Sequence, residues 1–209
     1  MTTRIDIINF LIKKFNLKSY LEIGVQNKDN CFNKIECDFK VCVDPDPISE
    51  ATFIAPSDEY FYSKTKLGFT QDHEKFDLIF IDGLHHTDQV DRDIENSLKF
   101  LSKKGFIVIH DCNPTNNLMQ HVPRVSKVWT GDVWKSIVKF RLKNPDNCVV
   151  VDTDFGCVII FQNWNYYSDD LMPISESEMT YSLLESKRKE LLNLITVDEF
   201  YNLFDESKN

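Results

Sequence analysis

Apolar residues recur along this chain with two alternating periods. Over residues 4–16, Ile5, Ile8, Leu11, Ile12 and Phe15 fall at helical spacing, which predicts an opening amphipathic helix. Ser19 to Val25 reads as a short strand containing Glu22-Ile23-Gly24. Phe39 to Val43 reads as a second, stopped by Asp44-Pro45-Asp46-Pro47, whose prolines favour an extended turn. Ala51 to Ile54 is a brief third strand, and Ser57-Asp58-Glu59 caps a helical turn carrying Tyr60 and Phe61. Phe76 to Asp82 is almost continuously apolar, as a parallel strand buried on both faces should be.

The second half continues the alternation. Val90, Ile94, Leu98 and Leu101 lie on one side of a helix that Lys104-Gly105 ends, and Phe106 to Ile109 is the next strand, closing on His110-Asp111. Asp132 is expected to cap a helix through Trp134, Ile137, Val138 and Arg141. Cys148 to Val151 and Gly156 to Phe161 pair around a turn at 152–155, and residues 176–205 suggest one or two further helices. The pattern predicts an α/β fold class with a doubly wound, mostly parallel sheet. No repeat or linker divides the chain, so a single domain over residues 1–209 is expected.

Composition narrows the function. A net charge of −9 opposes phosphate backbones, so no nucleic acid is expected as a partner. Apolar runs fall far short of the roughly 20 residues that span a bilayer, so no membrane segment is expected. The start of the chain lacks a signal-peptide pattern, and a cytoplasmic location is the default. The six cysteines form no Cys-x-x-Cys pair and read as reduced core thiols.

In open parallel sheets ligands bind beyond the carboxyl ends of the strands, where strand order reverses. The residues ending the strands are Glu22 and Gly24, Asp44, Ser57 and Asp58, Asp82 with Gly83 and His85, and His110 with Asp111. Asp44 suits both hydroxyls of a ribose, but Asp-Pro-Asp-Pro would also serve as a turn without a ligand. Glu22-Ile-Gly24 is equally open, since a glycine after a strand often only permits a tight turn. If Asp82 and Asp111 end adjacent strands, they could hold Mg²⁺, while His85 takes a proton from an acceptor hydroxyl. A histidine here could also merely provide helix-entry polarity, and His110 or His85 could ligate a softer metal. Trp129 and Trp134 could line an acceptor pocket, although tryptophans more often anchor a helix in the core.

The order Tyr20-Leu-Glu-Ile-Gly24, Val43-Asp-Pro45, Ser57 to Phe61, Phe76 to His85 and Gly105 to Asn113 resembles class I S-adenosylmethionine-dependent methyltransferases. Ile81-Asp-Gly-x-His85, Ile109-His-Asp111, Trp129 to Trp134 and Val151 to Gly156 are similar to a small branch, some of whose members act on sugar or natural-product hydroxyls. The resemblance covers a core of about 17–162, leaving 163–209 as a C-terminal helical extension, and implies a Rossmann-like sheet with a final antiparallel strand. It implies that Glu22 and Gly24 lie beside the methionine part of S-adenosylmethionine, Asp44 at its ribose, and Ser57 and Asp58 near its adenine. Asp82 would also border the cofactor and hold Mg²⁺ with Asp111, and His85 would be the general base. The implied reaction is O-methylation of a small hydroxylated acceptor such as a sugar.

Two other functions remain open. Gln26-Asn27-Lys28 replaces a further glycine usual in the family, which favours a non-catalytic module binding a nucleoside or a protein partner on a degenerate methyltransferase fold. Asp82, His85 and His110 could instead form the metal triad of an oxygenase. The C-terminal helices could be a lid or a homo-oligomer contact.

Overall fold

The computed structural model describes residues 1–66, 75–161 and 171–205. Helix α1 (Arg4–Phe15) leads into β1 (Ser19–Ile23), and β2 (Phe39–Asp44), β3 (Phe53–Ile54) and α2 (Ser57–Lys66) follow. Next come β4 (Phe76–Ile81), α3 (Thr87–Phe100), β5 (Leu101–Ile109), α4 (Val133–Lys143), β6 (Cys148–Val151) and β7 (Cys157–Phe161). The described chain closes with α5 (Tyr181–Leu192), β8 (Leu194–Ile195) and α6 (Val197–Leu203).

The strands form one sheet in the order β3-β2-β1-β4-β5-β7-β6-β8. Pairing is parallel from β3 across to β5 and between β6 and β8, whereas β7 runs antiparallel to both its neighbours. The antiparallel strand is thus interior, and the C-terminal segment adds an eighth strand that the sequence pattern does not reveal.

Alternation along the strands divides the core in two. Leu21, Ile79, Ile81, Ile107 and Ile109 face a layer formed with α2, α3, α4 and α5. Tyr20, Leu78, Phe80, Phe106 and Val108 face the other layer, with α1 and α6. Burial on both faces explains why Phe76 to Ile81 is apolar at every position but Asp77. The sheet therefore leaves its carboxyl edge as the place for polar chemistry, with the order reversing between β1 and β4.

Two arginines tie the C-terminal segment to the rest. Arg141, 1% exposed, donates from Nη1 to the carbonyls of Glu190 at 2.5 Å and Leu191 at 2.7 Å, and so caps α5 from α4. Arg188 donates to Asn113 Oδ1 and to the Pro114 carbonyl, holding the turn that follows β5. Replacing Arg141 with methionine keeps much of the side-chain bulk but removes the guanidinium donor from both carbonyls. We expect Arg141→Met to lower stability by about 2–4 kcal/mol in urea denaturation; an unchanged midpoint would contradict this capping role.

Candidate active site

Close packing of backbone sets the frame of the site. Gly24 has φ +85°, and a Cβ there would lie 2.3 Å from the Asp82 carbonyl oxygen and from Gly83 Cα. The glycine after β1 is therefore required by the approach of the β4 end. Asp82 and Asp111 do end adjacent parallel strands, with Ile81 in register with Ile109. Asp111 sits in the left-handed region at φ 59°, an uncommon conformation for an aspartate at a strand end.

The ends of β4 and β5 gather a continuous ionic cluster. His85 Nε2 lies 3.2 Å from Asp82 Oδ1, and His85 Nδ1 lies 3.5 Å from Asp111 Oδ2. His110 Nδ1 is 3.3 Å from the same Asp82 oxygen and 3.5 Å from Asp111 Oδ2. Its Nε2 is 3.4 Å from Asp154 Oδ2, on the turn between β6 and β7. Arg4, at the start of α1, completes the cluster: its Nη1 is 2.9 Å from Asp154 Oδ2 and its Nε 3.8 Å from Asp82 Oδ2. Arg4 and Asp154 were not among the residues the sequence singled out. Asp154 stood inside Val151 to Gly156, a stretch read as a turn and as part of the family resemblance with no role given to the aspartate, and Arg4 carries no local signal at all.

Burial and pairing pull on these groups in opposite directions. Burial pushes the Asp82 carboxyl up, but the charge and hydrogen bond of His110, with those of His85, outweigh it and hold the group well below the usual carboxylate range. Burial depresses both histidines, yet the facing carboxylates raise His85 and raise His110 further. Glu22, 1% exposed, accepts a hydrogen bond from Tyr20 Oη at 2.5 Å. Burial lifts its carboxyl to about 7 in spite of that bond.

The Trp129-Thr-Gly-Asp132 segment braces His85. A Cβ on Gly131, at φ +59°, would fall 1.8 Å from the His85 carbonyl oxygen, and the Asp132 N–H donates to that oxygen at 3.2 Å. Trp129 stacks on the His85 ring at 5.3 Å between centroids. Trp134 is instead fully buried, donating to Gln120 at 2.7 Å. Asp132 does not cap its own helix, α4, with its side chain. Its Oδ1 accepts from the Thr87 N–H at 2.8 Å, so the carboxylate caps α3, the helix that follows His85.

The cofactor candidates are placed unevenly. Asp44 Oδ2 accepts from the backbone N–H groups of Val25 and Gln26, each at 2.8 Å, and Oδ1 accepts from Asp46 N–H at 2.8 Å. A carboxylate has about four acceptor sites. Asp44 therefore clamps the loop after β1 and retains capacity for one more donor, fewer than the two hydroxyls of a ribose. Ser57 donates to Asp93 Oδ1 at 2.6 Å and accepts from Gln89 at 3.1 Å, while Asp58 pairs with Arg92 at 3.1 Å. Asp93, on α3, is a buried carboxylate that sequence reasoning passed over.

Asp82, His85 and Asp111 carry ligand atoms within 4.8 Å of one another, so a cation could be held among them. Mg²⁺ prefers an all-oxygen shell. Here both carboxylates face imidazole nitrogens, and Asp82 also faces the permanent charge of Arg4. The donor set does not suit Mg²⁺. His110, Asp154 and Cys157 form a second grouping, but burial pushes the Cys157 thiol up to about 12, which disfavours the thiolate that a metal needs.

Residues 41–112 match the family model described as a methyltransferase domain, a span that includes Asp44, Ser57, Asp58, Asp82, His85 and Asp111. No curated protein matches the chain by sequence. The O-methyltransferase from Bacillus cereus in complex with S-adenosylhomocysteine superposes with a TM-score of 0.50 at 10% identity, covering 74% of this chain and 79% of that one. A Klebsiella pneumoniae protein assigned as an O-methyltransferase gives 0.53 at 15% identity, covering 77% and 79%. A Staphylococcus aureus protein assigned as a caffeoyl-CoA O-methyltransferase gives 0.51 at 14%, covering 77% and 84%. The fold is that of class I methyltransferases, as the sequence resemblance implies.

Burial raises the Asp93 carboxyl to about 6, against the hydrogen bonds of Ser57 and Gln89. A carboxyl whose folded pKa exceeds its unfolded value favours the fold while neutral, below about pH 4, and loses that advantage as pH rises through about 6. Between pH 4 and pH 7 wild type should lose up to about 3 kcal/mol relative to Asp93→Asn. Urea denaturation of both proteins at the two pH values would reveal it, and parallel pH profiles would refute it.

Proposed function

We propose that this chain, a methyltransferase by fold and by its matched segment, transfers a methyl group from S-adenosylmethionine to a hydroxyl of a small acceptor such as a sugar. The observation that carries the reading is the His85–Asp82 pair at the switch point of the sheet, with the His85 backbone locked by Gly131 and Asp132. S-adenosylmethionine, when bound, supplies an activated methyl on its sulfonium. What the protein must add is in-line placement of the acceptor and removal of its proton.

On this reading neutral His85 takes the hydroxyl proton, and Asp82 stabilises the imidazolium that results. Trp129, stacked on the same ring, fixes its orientation and supplies an apolar wall beside the acceptor. Glu22 and Gly24 border the methionine part of the cofactor, and Asp44 offers its one remaining acceptor site to a ribose hydroxyl. Ser57 and Asp58 lie towards the adenine. No helix among the described residues is long and apolar enough to cross a membrane.

Calorimetric titration with S-adenosylhomocysteine tests the cofactor, and S-adenosylhomocysteine release from S-adenosylmethionine across a panel of sugar and phenolic acceptors tests the chemistry. We expect saturable binding that Mg²⁺ leaves unchanged. His85→Ala should cut turnover by about 100-fold or more, as loss of a general base does, with cofactor binding kept. Asp82→Asn should cut turnover and also weaken binding. Wild-type protein that fails to bind would favour the degenerate module. Turnover that requires added iron would favour the oxygenase.

A further inference from the structure

Arg4 is the one cation of the ionic cluster that none of the functional readings employs. It opens α1, yet that helix is already secured without it. Thr3 and Asp6 form a capping box at its start, and Ile7, Ile8, Leu11 and Ile12 bury its apolar face. The Arg4 side chain is only 22% exposed and reaches from α1 to the ends of β4 and of the β6–β7 turn. Its backbone N–H and its Nη1 both donate to a single oxygen, Asp154 Oδ2. Its Nε–H is buried and makes no hydrogen bond, because Asp82 Oδ2 at 3.8 Å is too far.

A guanidinium presents five donors in a planar fork that matches a carboxylate two bonds at a time. Holding one inward with a donor unmet is costly unless a further acceptor arrives. The charge of Arg4 also acts on Glu22, at the end of β1. Glu22 is buried, with Tyr20 Oη donating to its carboxylate and the Cys31 thiol beside it. The adjacent ends of β1 and β4 therefore carry a buried acid, Glu22, and, beside Asp82, a guanidinium with one donor unmet. A ligand carrying a carboxylate and an ammonium on one carbon satisfies both.

We propose that Arg4 is a cofactor-binding residue whose guanidinium receives the α-carboxylate of the amino-acid end of S-adenosylmethionine, while Glu22 receives the ammonium. This rests on the cofactor reading given above. It assigns to the N-terminal helix a binding task outside the segment that matches the methyltransferase domain, which begins at residue 41. It also explains a guanidinium drawn deep into a sheet mouth when its helix is held by other means.

The test compares two ligands that differ only at the amino-acid end. S-adenosylhomocysteine carries the carboxylate and ammonium, whereas 5′-methylthioadenosine keeps the adenosine and the sulfur without them. Wild-type protein should bind both by calorimetry, S-adenosylhomocysteine more tightly. Arg4→Gln should weaken S-adenosylhomocysteine by about 10- to 100-fold, the usual scale for a charge-assisted contact, and leave 5′-methylthioadenosine within about twofold. Arg4→Lys should recover part of the loss, and Asp154→Asn, which frees the guanidinium, should not weaken S-adenosylhomocysteine. An Arg4→Gln protein that binds S-adenosylhomocysteine as wild type does overturns the proposal. So does one that loses both ligands equally, since Arg4 would then only shape the fold. Wild-type protein that binds neither ligand overturns the cofactor reading itself.

Discussion

Carboxylates gathered at the carboxyl edge of a buried parallel sheet must find positive partners, and this need organises the molecule. Asp82, Asp111 and Asp154 converge from three separate strand ends and turns, and each is largely out of water. Unpaired, each would cost several kcal/mol. Two imidazoles and a guanidinium answer them, one for each carboxylate. The balance explains why the pKa values of His110 and His85 are raised, and why that of Asp82 is lowered. A hard divalent ion is a poor guest here, since the carboxylate oxygens face imidazole nitrogens and a guanidinium.

The loops around this centre are built to hold it still. Gly24 lets β1 and β4 meet at backbone distance, and Gly131 does the same for the segment that presses on His85. The β6–β7 turn runs through Asp154, Phe155 and Gly156, all at positive φ, and lays Gly156 against Asn113. From there Asn113 bonds to Asp152, and Arg188 reaches across from α5. The backbone of Asp111, itself left-handed, is thereby braced from the turn and from the C-terminal segment. Catalysis by placement demands such rigidity, because a reacting pair displaced by an ångström loses most of its advantage.

Much of this was legible in the linear pattern. Alternating periods specified the doubly wound sheet, because burial on both faces leaves continuous apolar strands and burial on one side leaves a helical stripe. The topology rule then placed Glu22, Gly24, Asp44, Asp82, His85 and Asp111 at one edge without any coordinates. Those are local facts: each strand end is read from its own neighbours.

Which of those residues touch, and what they lack, was decided only in three dimensions. Arg4 and Asp154 stand 150 residues apart and meet because the sheet brings α1 and the β6–β7 turn to one place. Asp132 precedes α4 in sequence yet caps α3, since the nearer unpaired N–H in space belongs to Thr87. Asp44 keeps the position expected of a ribose ligand but spends three of its acceptor sites on backbone donors. Sequence periodicity records which face of an element meets the core. Hydrogen bonds and ion pairs form across elements, at distances set by the closed sheet, so the amino-acid order determined the edge where chemistry belongs and the tertiary structure alone decided how its charges are paired.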